Sequence, residues 1–389
     1  MKRAYKMRAY PTTQQQSRAD RLLGDHCDLY NAALQERVGA WQRSKVSVSY
    51  GTQSAQLKEI RALCPEQGRW SFTAQQQTLR RLNRSFEAFF RRVRAGQTPG
   101  FPRYRSKARF DTVDHINGDG AKWTPTEGRW AKAHFQGVGT IKVSEHTHVQ
   151  GRVTQVSLKR EHAGRRWYVI VIAESDPIPL PVTGRSVGVD VGVARFLTTS
   201  DGEIVGNPRF LETAADELAE LQRRLALCKR GSGNSRRLKR HIAKLHRQVA
   251  NRRRDFHHKV ARKLVNECDQ IAVENLNIAG MTRSARGTID RPGTNVAAKS
   301  GLNRVMLDVG IAQFFGVLGA KVRQHEPTRT LHQVNPRGTS KECAADGLPV
   351  QRAQQDTVVC STCGDLDADW NAAANIYTRA GLGSGRAAA

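Results

Sequence analysis

The sequence predicts a multidomain α/β protein. Three observations carry that prediction. The chain has 389 residues, enough for two or three domains with a sizeable core. Apolar residues recur at helical steps through the first quarter of the chain, then alternate at strand period from about residue 110 to 180. Beyond Pro177, Pro179 and Pro181, which read as a stiff extended linker, short apolar strands carrying single acids are joined by long helices.

Taken in order, Lys6-Met7-Arg8-Ala9-Tyr10-Pro11 reads as a short strand stopped by proline. Thr12 or Thr13 caps a helix whose apolar face is Leu22, Leu23, Cys27, Leu29, Ala33 and Leu34. A more polar helical stretch runs to about Leu63 and breaks at Cys64-Pro65-Glu66-Gln67-Gly68. The clearest helix of this half follows. Phe72, Leu79, Leu82, Phe86, Phe89, Phe90 and Val93 form its packed face, and Arg80, Arg81, Arg84, Arg91, Arg92 and Arg94 lie largely on other faces. A Gly/Pro-punctuated loop, Gly96 to Arg105, ends it. Gly139–Val143 alternates as a strand. Val153–Lys159 and Trp167–Ala173 flank a hairpin turn at Glu161-His162-Ala163-Gly164, so this region is a small antiparallel barrel or sheet.

After the linker, Arg185-Ser186-Val187-Gly188-Val189-Asp190-Val191-Gly192-Val193 is a continuous apolar strand with one acid. Phe196–Thr199, a turn at Ser200-Asp201-Gly202, and Ile204-Val205 make a meander. A helical hairpin follows, with Leu218, Leu221 and Leu225 facing Leu238, Ile242, Leu245, Val249, Phe256, Val260 and Leu264. Ile271-Ala272-Val273-Glu274-Asn275-Leu276 is a second short buried-type strand ending in an acid. Residues 280–300 read as a mobile loop, Leu302–Leu318 as one apolar-faced helix, and Val322 as the start of a last strand.

Charge narrows the function. Lys and Arg number 63 against 35 Asp and Glu, for a formal net charge of +28. The excess is spread along the chain, unlike the confined basic tail or helix of a membrane-binding protein. It suits a protein that follows a long polyanion, releasing counterions as phosphates are neutralised. Mean hydropathy is -0.57, which predicts a soluble protein. No apolar run is expected to approach the ~18 residues of a membrane span. The polar N-terminus gives no export signal, so a cytoplasmic, nucleoid-associated protein with no membrane partner is expected.

Three acids stand out: Asp190, Glu274 and Asp369. A carboxylate in an apolar strand is costly unless paired, hydrogen-bonded or metal-bound. A lone acid at a strand end is ordinarily a turn or cap residue, so the argument rests on the set. A first strand opening a meander, a second reached by a long crossover helix and an acid opening a terminal helix follow the order of an RNase H-like sheet. Such a trio holds two Mg²⁺ ions, which are hard cations matched to carboxylate oxygen. Two ions ~3.5–4 Å apart support in-line phosphodiester cleavage.

The seven cysteines are odd in number and the first four are scattered, which argues against a disulfide framework. Cys360-Ser361-Thr362-Cys363 is a CxxC followed by Gly364 and suits a zinc knuckle with Cys343. A regular four-cysteine site needs Cys at 346, where this chain has Asp346. Asp ligates zinc, so a Cys3Asp Zn²⁺ site is the expectation. A redox CxxC lacks its thioredoxin-like context.

With these residues in hand, the chain resembles the TnpB family, transposon-encoded RNA-guided DNA endonucleases related to the type V CRISPR effectors. The resemblance runs in order through Tyr5–Thr12, Phe89–Val93 with Gly100–Tyr104, Val189-Asp190-Val191-Gly192, Val273-Glu274-Asn275-Leu276, Asn335–Lys341 and Asp369-Trp370-Asn371-Ala372-Ala373-Ala374-Asn375-Ile376. It implies a wedge β-barrel at 1–12 and 96–180 interrupted by a helical recognition domain at 13–95. It also implies an RNase H-like (RuvC) nuclease domain at 181–338 and 366–380, a zinc-binding insert at 339–365 and a disordered tail at 381–389. Asp190, Glu274 and Asp369 are then the RuvC acids, and Cys343, Cys360 and Cys363 zinc ligands. The departure is Asp346, where the family has Cys. The implied partners are a guide RNA from the transposon end and a double-stranded DNA target beside a short flanking motif. Two other readings stay open: a DDE-like transposase acting without RNA, and an RNA-guided repressor that holds DNA without cutting.

Overall fold

The computed structural model describes residues 1–161, 166–288 and 290–383. The turn expected at 162–164 and the tail from 384 onward lie outside the described residues. Two compact units divide the chain, Met1–Asp176 and Pro177–Ala389.

The first unit opens with β1 (Lys2–Tyr10), leaves the sheet for α1 (Thr13–Ser44), α2 (Tyr50–Leu63), α3 (Pro65–Gly68) and α4 (Phe72–Arg94), and returns. Six strands then follow: β2 (Thr112–Asn117), β3 (Gly120–Pro125), β4 (Trp130–Phe135), β5 (Gly139–Ser144), β6 (Arg152–Glu161) and β7 (Arg166–Glu174). Together the seven close a barrel in the order β1-β5-β4-β3-β2-β6-β7. Closure removes free sheet edges. β1 is the closing strand, antiparallel to β7 on one side and β5 on the other. Its Tyr5, Met7 and Ala9 are buried, with Lys6 and Arg8 alternating outward. The barrel is antiparallel except where β2 meets β3.

Thr12 is the cap of α1. Its hydroxyl accepts from the Gln15 N–H while the Gln15 side chain accepts from the Thr12 N–H. The expected apolar face of α4 is packed in its middle and exposed at its ends. Leu79 and Leu82 are buried, whereas Phe90 and Val93 are 54% and 49% exposed. Phe86 packs against the core, and both Phe86 and Phe89 meet Phe101 edge-on, at 5.7 and 5.3 Å between ring centroids. The loop after α4 therefore adds a partner to the packing that the core supplies.

The second unit carries β8 (Ser186–Asp190), β9 (Arg195–Thr199), β10 (Ile204–Gly206), α5 (Ala215–Ala226), α6 (Gly233–Glu267) and β11 (Gln270–Glu274). Next come α7 (Ile278–Met281), α8 (Val296–Val309), α9 (Ile311–Arg323), β12 (Thr330–Val334), β13 (Gln351–Arg352), β14 (Thr357–Cys360), β15 (Gly364–Asp367) and α10 (Ala368–Arg379). Five strands form a sheet in the order β10-β9-β8-β11-β12, and β13, β14 and β15 form a small one of their own. The larger sheet is mixed. β10, β9 and β8 are an antiparallel meander, and β11 and β12 add parallel to β8. Val187, Val189, Phe196, Ile271 and Val273 pack against Ala261 and Val265 of α6 and against Phe314 and Leu318 of α9.

Four expectations differ from the structure. Val296–Val322 is, by length and composition alone, long and apolar enough to cross a membrane, contrary to the reading that no run approaches that length. In the structure this stretch is two helices rather than one, because Gly310 takes a left-handed conformation at φ 70° and ends α8. The face of α9 carrying Phe314, Leu318 and Val322 is buried in the core. Val322 therefore ends a helix, and the last strand of the sheet begins at Thr330. The stretch 280–300, read as loop, contains the start of α8 at Val296.

Candidate active site and metal centre

Asp190 ends β8 and Glu274 ends β11. These strands are parallel neighbours, with Val187 opposite Ile271 and Val189 opposite Val273. One further step along each strand brings Asp190 and Glu274 to the same level, about 4.8 Å apart at the backbone. Val189 and Val273 point into the core, so the acids that follow share the other face.

The third acid arrives on α10. The acid that opens α10 is Asp367, the helix cap, rather than Asp369 as expected. One oxygen of Asp367 accepts from the backbone N–H groups of Asp369 and Trp370, at 3.1 and 2.9 Å. Asp369 lies in the first turn. Three contacts fix where that turn sits. A Cβ on Gly188 would lie 2.2 Å from the Ala373 carbonyl oxygen and 2.6 Å from the Tyr377 nitrogen, so α10 rests directly on the backbone of β8. The Trp370 indole N–H donates to the Ser200 carbonyl at 3.0 Å. Arg195, first residue of β9, donates to Asp367 at 2.6 Å and lies 3.8 Å from Asp369.

The electrostatics show that the acids bear on one another. Burial, then the charges of Glu274 and Asp369, push the Asp190 carboxyl up to about 7. Burial raises Glu274, against the hydrogen bond that the Thr339 hydroxyl donates to it and the charge of Arg379. Burial also raises Asp369, against the charge of Arg195. Arg352 of β13 acts on both Asp190 and Asp369. Half-buried carboxylates that are all displaced upward are short of positive charge, and their oxygens suit a hard divalent cation completed by water or phosphate. The three residues present therefore fit such an ion. They form an open arrangement: among the described residues, the group that brings three or more potential ligand atoms within 4.8 Å of one another is the cysteine set.

That set is Cys343, Asp346, Cys360 and Cys363. Cys343 and Cys363 sulfurs are 3.8 Å apart, and an Asp346 oxygen lies 3.2 Å from Cys360 and 3.6 Å from Cys363. A tetrahedral ion with sulfur at ~2.3 Å and oxygen at ~2.0 Å requires edges of about 3.5–3.8 Å. The donor spacing thus fits a tetrahedral zinc-type site. The backbone N–H of Leu348, then the Cys360 thiol, hold the Asp346 carboxyl down to about 2, so it is ready as an anionic ligand.

Two buried asparagines join the two centres. Asn371 donates to the Glu342 carbonyl at 2.8 Å and accepts from the Ala344 N–H at 2.8 Å, bracketing Cys343. Asn375 donates to the carbonyls of Thr339 and Glu342, at 3.0 and 2.7 Å. The Asp369–Ile376 motif now has a physical account. Its asparagines hold the cysteine loop, and its small Ala372 and Ala373 lie buried where α10 meets the sheet. Asp367, Gly188, Arg195, Asn371 and Asn375 were given no role from sequence. The legible signals were two amides at helical i, i+4 spacing and a glycine inside an apolar strand.

A closed seven-stranded barrel, a mixed sheet and a cysteine-bearing insert define a multidomain α/β architecture of the Cas12f kind. A Cas12f1 chain, seen by cryo-EM in a complex with sgRNA and target DNA, superposes with a TM-score of 0.59 at 13% identity, covering 97% of this chain and 98% of that one. The profile of the IS605 OrfB family, described as "Probable transposase", matches residues 169–285, and a "Cas12f1-like, TNB domain" profile matches 312–376. A "Helix-turn-helix domain" profile matches residues 1–45, which here form β1 and the single helix α1. The "Putative RNA-guided DNA endonuclease InsQ" of Escherichia coli (strain K12) is 30% identical over 379 residues, covering 96% of this chain and 91% of the relative. A protein of Streptomyces pristinaespiralis described in the same terms is 30% identical over 291 residues, covering 74% and 70%. The chain belongs to the TnpB family.

Proposed function

We propose that the chain is a transposon-associated, RNA-guided DNA endonuclease that cleaves phosphodiesters by a two-Mg²⁺ mechanism. The observation that carries the reading is the meeting of Asp190 and Glu274 at one level of two parallel strands, with Asp369 pinned beside them by α10. The RNase H-like (RuvC) reading of this sheet is supported by its order, a meander extended by parallel strands on the β8 side. Mg²⁺ bound there supplies an activated water and stabilisation of the leaving oxygen. The chain's own residues do the rest. Asp190, Glu274 and Asp369 would hold the ions, Thr339 orients Glu274, and Arg352 adds positive charge near the carboxylates. Cys343, Asp346, Cys360 and Cys363 would hold a Zn²⁺ ion, which would brace the insert whose carbonyls α10 grips.

The helices at 13–95 and the barrel at 1–12 and 96–180 serve as recognition and wedge domains. The basic surface takes a guide RNA and a double-stranded target. In such a division of labour, base pairing carries sequence choice and the protein reads backbone shape and a short flanking motif. The work is then done at the host's DNA, in the cytoplasm. The test is to express the chain with its flanking DNA, sequence the RNA that co-purifies, and assay cleavage of a matched duplex. A discrete RNA and cleavage lost in Asp190→Ala are expected. Equal cleavage by wild type and Asp190→Ala would remove the site, and absence of protected RNA would remove the guidance.

A further inference from the structure

A fourth carboxylate stands beside the three proposed ligands. Asp367 shares the N-terminus of α10 with Asp369 and is part-exposed. One of its oxygens is committed to the helix N–H groups. The other receives Arg195 at 2.6 Å, while the same guanidinium nitrogen is 3.8 Å from Asp369. A free Asp367 would offer a divalent ion the same hard oxygen as its neighbour. Arg195 is held by the strand pair that carries Asp190: the turn from β8 to β9 is braced by the Gly192 N–H on the Phe196 carbonyl, at 3.3 Å. The mask and the first ligand thus belong to one rigid piece of the sheet.

We propose that Arg195 is a positioning residue that withholds Asp367 from the metal centre and so leaves Asp369 as its third ligand. The proposal rests on reading the acid trio as a divalent-cation site. A charge-assisted pair with arginine is stronger than a neutral hydrogen bond and directional. It neutralises Asp367, fixes the first turn of α10, and leaves Asp369 the weaker partner of the guanidinium, open to a competing cation. A plain helix-capping ion pair would make a different prediction. Breaking it from either side would loosen α10 and weaken metal binding in both cases. Masking predicts opposite signs. Removing Arg195 frees a fourth carboxylate and deletes a positive charge beside the ion. Removing the charge of Asp367 releases Arg195 onto Asp369.

The experiment titrates the full-length protein with Mn²⁺ in the absence of nucleic acid, following free Mn²⁺ by electron paramagnetic resonance and heat by calorimetry. Arg195→Met is expected to bind Mn²⁺ about tenfold tighter than wild type, and Asp367→Asn about fivefold weaker, from the charge removed or released near the ion. The double variant should lose the gain of Arg195→Met. Asn still caps a helix, so Asp367→Asn keeps the proposal testable if Arg195→Met fails to fold. Unchanged affinity in both single variants, or a loss in both, overturns the proposal. Asp190→Asn serves as the control for the site. If it binds Mn²⁺ as wild type does, the acid-trio reading fails and the proposal falls with it; if it loses binding while Arg195→Met is unchanged, only the mask is wrong.

Discussion

Asp190 carries the largest electrostatic strain of the centre, and the sign of that strain is testable. Its carboxyl rises from an ordinary value of 3.8 to about 7 through burial and the neighbouring acids. A folded-state value raised above the unfolded one means that the native protein binds the proton more tightly. Its contribution to stability is therefore full below about 4 and is lost as pH rises toward and past 7. In EDTA at pH 8, Asp190→Asn should melt several degrees above wild type and the gap should shrink at pH 5; with Mg²⁺ supplied, the variant's cleavage should be abolished. Thermal melts at the two pH values check it; equal melting at pH 8 would show that the site carries no such strain. Mg²⁺ should close the gap by raising wild type alone. The same scale holds the second prediction. Asp346→Cys converts the Cys3Asp set to four thiolates and should tighten Zn²⁺ by at least about tenfold in a chelator competition. An unchanged affinity would mean that Asp346 is not a ligand. The acids and cysteines were legible because a charge in an apolar strand and a CxxC are local signals. Arg195 and Thr339 were not, because their partners lie far along the chain and only the fold brings them together.

α10 is the element on which the centre turns. It touches β8 through the bare backbone of Gly188, grips the cysteine loop through Asn371 and Asn375, and starts at a cap held by Arg195. Gly188→Ala places a methyl against backbone atoms of α10 that have no rotamer with which to yield. A cost of about 1–3 kcal/mol is expected from overpacking of this kind, with α10 displaced and Asp369 carried away from Asp190. Gly188→Ala should therefore lower the melting temperature and the Mn²⁺ affinity together. Retained affinity in a destabilised variant would separate helix packing from ligand placement. Elements with one strong face were readable from sequence: α4, the α5–α6 hairpin, β8 and β11. The failures have local causes. β2, β3 and β4 are six-residue strands with polar outward positions and were read only as a region of strands. The pattern from 302 to 318 is continuous in hydrophobicity, and only the left-handed Gly310 divides it. Val322 looked like a strand because β-branched residues favour strands, yet it faces the core from the end of α9.

For the whole molecule, the charge makes the most general prediction. A formal net charge of +28 is the balance of 63 basic and 35 acidic residues, and some of the basic ones are committed within the fold. Arg37 bonds Gln53 and Asn83, Arg329 is buried against Asp269, and Arg253 pairs with Asp308. The count of 63 basic residues therefore overstates the number available to a partner. The basic residues that face water on α6, among them Arg237, Arg240, Lys244 and Arg252, remain exposed. If their partner is a phosphate backbone, affinity must fall steeply with salt, because each neutralised phosphate releases counterions. For about 6–10 phosphate contacts, the dissociation constant for a mismatched duplex should rise about 10³–10⁵-fold between 50 and 200 mM salt. Filter binding across that range measures it. Arg240→Gln and Lys244→Gln should each reduce the slope of log affinity against log salt by roughly one without changing it for matched relative to mismatched DNA, since phosphate contacts position and do not specify. A flat salt dependence would mean that the charge serves only the protein's own surface, and the polyanion argument that first separated this chain from other basic proteins would be lost with it.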